Sequence, residues 1–172
     1  GPIALCEIQG YAYAAWRGGR LVYPLEPGRT PGPLAELVHA RFRAHVLDQN
    51  FSCVGAKAAV NNETYRFGLY AEMGTREATE GLAHDLCEYA RERPNFGTDY
   101  ATFVASFAAP RVAGEREWER LLWSQLQRLH ELDREHHAWD STVSDDPEDP
   151  GFSFSFAGTA FFVAGMHPAS SR

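Results

Sequence analysis

His167 stands in Gly165-Met166-His167-Pro168, where the most aromatic stretch of the chain gives out and a proline stops any strand ladder. A proximal heme ligand needs a neutral imidazole beside a flat apolar wall, and Phe152, Phe154, Phe156, Phe161 and Phe162 could supply that wall. A turn histidine beside an ordinary aromatic core fits the same spacing. Both readings stay open on the residues alone.

Other residues able to do chemistry are scattered. Cys53 lies in the apolar run 51–60 with Lys57 nearby, which suits a thiolate ligand, a nucleophile or core filling. Lys57 and Arg66 flank apolar stretches and could pair anionic groups or remain solvated. Asp145 and Asp146, in Ser-Asp-Asp-Pro, could neutralise a cation or simply form a solvated turn. His130 and His137 are seven residues apart and conceivably share a metal, while His136 and His137 also suit the carboxyl end of a helix. None of the phosphate-loop, nucleophile-elbow, zinc-protease or dinucleotide motifs occurs.

The elements that must position these groups follow from periodicity. Leu34, Leu37, Val38, Phe42 and Val46 predict an amphipathic helix over 34–47. Tyr65, Phe67 and Leu69 alternate with Arg66, Gly68 and Tyr70 and predict a half-buried strand. Thr75 suits the N-cap of a helix reaching about Arg93, Ala101–Ala108 reads as a second strand, and Trp118 to Leu132 stripe a helix over 115–137. An acidic linker over 140–150 then precedes a hairpin, FSFSF and AFFV about Ala-Gly-Thr. The expected fold class is α+β, a small mainly antiparallel sheet flanked by three or more helices, with a poorly defined lead-in over 1–32 and one domain over 33–172.

Composition bounds the rest. At 172 residues the chain can bury a core without disulfides, and a formal charge of −7 disfavours nucleic acid and anionic lipid as partners. Three cysteines without CxxC spacing argue for a reducing, cytoplasmic setting, and no run is long and apolar enough for a transmembrane helix. Aromatic residues make up 13%, with the Phe crowded near the carboxyl end, so that concentration calls for a core or a ligand surface.

Three blocks together resemble the YqcI/YcgG family. They are FSCVGAKAAVNNETYRFGLY at 51–70, WERLLWSQLQRLHELD at 118–133, and HHAWDSTVSDDPEDPGFSFSFAGTAFFVAGMHPASSR at 136–172. The resemblance covers about residues 40–172, and the last block is the specific one. The family includes heme-dependent N-hydroxylases of natural-product pathways, such as the guanitoxin-pathway enzyme and arginine and lysine N-oxygenases. The resemblance implies heme b, dioxygen or peroxide as oxidant, a possible reductase, and hydroxylation of a terminal nitrogen of arginine, lysine or another guanidine. It implies His167 as the axial iron ligand, with Cys53 as the alternative. Lys57, Arg66 and Arg172 become candidates for the propionates, Phe154 and Phe162 for the porphyrin face, and Asp145 and Asp146 for the substrate's charge. Family members continue past the HPxxSR piece, so a missing carboxyl-terminal segment is expected. A non-catalytic heme-binding or sensing module and a cofactor-free binding domain are the alternatives.

Overall fold

The computed structural model describes residues 33–167 and, for the backbone alone, 15–17 and 20–22. Arg172, Pro168 and most of the lead-in lie outside the described residues. Ala15–Arg17 (β1) and Arg20–Val22 (β2) form an antiparallel pair.

The centre of the fold is a β-α-β unit. β3 (Tyr65–Glu72) leads through α3 (Arg76–Glu92) and a 3-10 turn over Arg93–Phe96 to β4 (Thr102–Ala109). The two strands pair in parallel, with Tyr65 opposite Thr102 and Glu72 opposite Ala109. This overturns the expectation of a mainly antiparallel sheet. A helix of 17 residues between two strands carries the chain back to the starting end, so the second strand runs the same way as the first.

Burial gives the physical reason that alternation misleads here. The first six residues of each strand are all buried, Arg66 included, because helices cover both faces. On one face α1 (Pro33–Leu47) packs Phe42 against Tyr65 and Phe67 at ring separations of 6.0 and 5.4 Å. On the other, α3 sets Tyr89 edge-on to Phe103. The apolar run at 51–60 forms a short helix, α2 (Val54–Asn61), whose N-cap is Cys53.

Two long helices begin and end near the strand ends they serve. Thr75 caps α3, its hydroxyl accepting the Ala78 amide and donating to the Glu72 carbonyl. α4 (Glu115–Asp133) lies beside α3 and ends four residues before His137. The expected hairpin forms from β5 (Phe154–Phe156) and β6 (Thr159–Phe161), antiparallel. Its two-residue turn, Ala157 at φ 50° and Gly158 at φ 66°, has the left-handed backbone that matches strand twist.

Candidate functional site

In open sheets of parallel strands, ligands collect outside the carboxyl ends. At that end of β3 and β4 lies a recess of about 310 Å³ counting its open mouth, lined by Met73, Phe107, Trp118, Leu122, Leu126 and Gly165 among others. Gln125 also lines it, and its amide is what ties the wall together. Its Oε1 accepts the Gly74 amide at 2.7 Å, and its Nε2 donates to the Thr79 hydroxyl at 3.0 Å. One buried glutamine thus locks α4 to the turn between β3 and α3.

His167 adjoins this wall. The residue is only 7% exposed, and its ring stacks on Trp118 at 6.0 Å and 17°. Nε2 lies 3.2 Å from the Val112 carbonyl oxygen, which can only accept, so Nε2 carries the hydrogen and donates it. Gly165 makes the approach possible: a Cβ there would stand 2.9 Å from Leu122 Cδ2 and 3.1 Å from Trp118 Nε1. The residues that hold His167 therefore come from the loop after β4 and from α4.

The structure separates the other residues that the sequence singles out. Arg66 sits at the amino end of β3, about 23 Å from Met73, just past the strand's other end, at 3.3 Å per residue. It is already engaged: Nε donates to Glu92 Oε2 at 2.8 Å, Nη2 to Glu92 Oε1, and Nη1 to the Tyr65 carbonyl, while the guanidinium lies over the Phe96 ring. Lys57 is half-buried on α2, which leads into the same amino end. Cys53 is exposed, and its sulfur accepts the Ala56 amide at 3.4 Å.

Phe154 is buried edge-on to Trp139 within the core, whereas Phe162 is 57% exposed. Asp145 and Asp146 are exposed in the acidic loop, where Asp146 Oδ1 accepts the Glu148 amide. His137 Nδ1 bonds Asp133 at 2.8 Å and His130 packs edge-on to Trp139. Among the described residues, no three His, Cys, Asp or Glu gather as metal ligands, and no helix is long and apolar enough to cross a membrane.

Against the needs of a heme, the described residues offer an imidazole in His167, engaged by Val112 and Trp118, beside part of an apolar wall. Lys57 and Arg66, at the other end of the sheet, are not brought to it. Sequence reasoning missed Trp118, Gln125, Val112 and Gly165. Only Gln125 left a signal, as an amide interrupting the apolar stripe of α4.

Comparison with known proteins agrees with the resemblance seen in the blocks. The model of the YqcI/YcgG family matches residues 42–172. The chain is also similar to "Uncharacterized protein YcgG" of Bacillus subtilis (strain 168), 27% identical over 117 residues, which cover 66% of this chain and 45% of that protein. The match thus spans less than half of that relative's length. No solved structure matches.

Proposed function

The chain belongs to the YqcI/YcgG family, and on that premise we propose that it forms part of a heme-dependent oxygenase hydroxylating a terminal nitrogen of a basic amino acid. The observation that carries this reading is the setting of His167. Histidines that bind metals donate their second ring nitrogen to a carbonyl or carboxylate, which fixes tautomer and orientation. His167 does this to Val112, against the flat face of Trp118.

When bound, heme b would supply the oxidising centre for dioxygen or peroxide. The chain's own residues would hold and shield it: His167 would ligate iron, Trp118 and the Val112 carbonyl fix the imidazole, and Met73, Phe107 and Leu122 would keep water from the wall. The dioxygen route draws two electrons from a reductase, whereas the peroxide route needs none. Oxygen transfer requires a nitrogen lone pair, so the substrate cation must lose a proton before it reacts. Asp145 and Asp146, exposed to solvent, suit first capture of a guanidinium or ammonium group by charge. Cys53 and Cys87, free cysteines among the described residues, suit a reducing cytoplasm.

Hemin titration of the purified protein tests the reading. The expected result is a Soret band that His167→Ala abolishes, and a product heavier by one oxygen from arginine or lysine with reductant and dioxygen or with peroxide. Absence of a band in the parent protein sinks the proposal, and a band without product reduces it to a heme-binding module. A cofactor-free binding domain has one observation in its favour, the distance of Arg66 and its engagement with Glu92. The same titration decides it.

A further inference from the structure

Beneath α3, the sheet carries a polar pair that the chemistry above does not use. Tyr70, 1% exposed, donates its phenolic hydrogen to Asp85 Oδ2 at 2.6 Å, and Asp85 is itself 7% exposed. Gly68, on the same strand face, leaves the space, because a Cβ there would stand 2.6 Å from the phenolic oxygen. The Tyr70 ring packs at 5.6 Å on Phe107, which lines the recess.

The choice of partner is informative. No lysine or arginine pairs with Asp85 among the described residues; its other partner is the Nδ1 of exposed His84, at 3.4 Å. Burying a carboxylate without a matched cation is costly, and an asparagine would accept the same phenolic hydrogen bond without that cost. What the carboxylate adds is the capacity to take the proton.

We propose that Tyr70 is a one-electron redox site coupled to Asp85. A high-potential metal complex, the class of oxidant required, takes one electron from the phenol as the O–H bond breaks and the proton passes to Asp85. The products are a neutral phenoxyl radical, a protonated Asp85 and an oxidant reduced by one electron. Re-reduction returns one electron to the ring and the proton from Asp85. Because the proton moves along an existing hydrogen bond, no buried positive charge builds up on the ring. The resting protonation states agree: burial holds the Tyr70 hydroxyl well above its ordinary range, and raises Asp85 to about 6, so that it is mostly ionised at neutral pH. The titratable groups acting on Asp85 are Tyr70 from β3 and His84 and Glu88 from its own helix.

The step needs no heme, so its test is independent of the oxygenase reading. The heme-free protein is oxidised with photogenerated tris(bipyridine)ruthenium(III), and the frozen sample is read by electron paramagnetic resonance. The expected result, in a Tyr100→Phe background because Tyr100 is 55% exposed, is a tyrosyl signal that Tyr70→Phe lowers several-fold and that Asp85→Asn, which keeps an acceptor but not a base, lowers likewise. In the background protein the yield should fall roughly tenfold for each pH unit below the Asp85 titration. A signal that persists at full yield in either folded variant overturns the proposal, as does a pH-independent yield in the background protein, whether or not the variants fold.

Discussion

The Asp133 carboxylate receives the Ala157 amide on both of its oxygens, each at 3.0 Å, across 24 residues of chain. The last residue of α4 thereby holds the turn of the β5–β6 hairpin, and His137 Nδ1 bonds the same carboxylate from the loop between them. Asp140 supports the hairpin further along, accepting the Ala160 amide at 3.0 Å while its own amide donates to the Ser155 hydroxyl.

Replacing Asp133 by Asn should therefore cost stability. The amide keeps one acceptor but loses the charge that strengthens both bonds, and hydrogen bonds to charged groups contribute about 1.5–3 kcal/mol. Urea denaturation of Asp133→Asn should show a loss in that range with an unchanged slope. A midpoint equal to that of the parent would mean that the hairpin is held by its aromatic packing alone.

Two buried groups pull the pH dependence of stability in opposite directions. Burial raises Asp85 from 3.8 to about 6, so its contribution is fully present below 3.8 and is lost as pH rises through about 6. Burial, reinforced by Arg43, lowers His39 from 6.5 to about 4, so its contribution is present above 6.5 and is lost as pH falls through about 4. Each amounts to something on the order of 3 kcal/mol at one unit per 1.36 kcal/mol, and between pH 4 and 6 they oppose one another. Relative to the parent, Asp85→Asn should grow less stable as the solution is acidified through that window, and His39→Gln should grow more stable. Denaturation midpoints of the three proteins at pH 4, 5, 6 and 7 check this; parallel profiles would refute it.

Arg66 makes a third case, because its two possible roles predict different losses. As built, its fork grips Glu92 and its plane lies over Phe96 at 4.6 Å, geometry that a lysine does not reproduce. Arg66→Lys should lower stability by about 1–3 kcal/mol, the scale of a charge-assisted bond partly exposed on one side. Hemin affinity, measured on the same samples, should stay within error of the parent. A hemin affinity that falls with stability unchanged would return Arg66 to the propionates.

How much of this was legible depended on whether the partner lay nearby in sequence. α3 and α4 follow from the period of Leu82, Leu86 and Tyr89 and of Trp118, Leu126 and Leu129, and the Thr75 cap is local to the helix it starts. His167 was legible too, as a histidine ending an aromatic strand. Its partners were not, since Val112 lies 55 residues away and Trp118 reads as an ordinary stripe position. The strand direction failed for a related reason. Arg66 made β3 look half-solvated, although it is buried because Glu92, ending α3, and Phe96, in the turn after it, meet it. The uniformly apolar TFVASF of β4 was the better guide, being the pattern of a strand covered on both faces. Asp133 was illegible in the same way: a terminal acid looks solvated until the amide it receives is known.

Gly165 is the most sensitive position at the recess, and its sensitivity is steric rather than conformational. A methyl group there meets the mobile end of Leu122 and the rigid indole of Trp118, so the leucine can yield and the tryptophan must tilt. Overpacking of this kind costs about 1–3 kcal/mol. Since His167 stacks on that same indole, Gly165→Ala should disturb the imidazole as well as the fold. The expected signs are a lowered melting temperature, a changed near-ultraviolet circular dichroism signal from Trp118, and weakened hemin binding, where Arg66→Lys leaves it unchanged. If Gly165→Ala melts and binds hemin as the parent does, the recess wall is softer than its packing indicates, and the coupling of His167 to Trp118 has no functional weight.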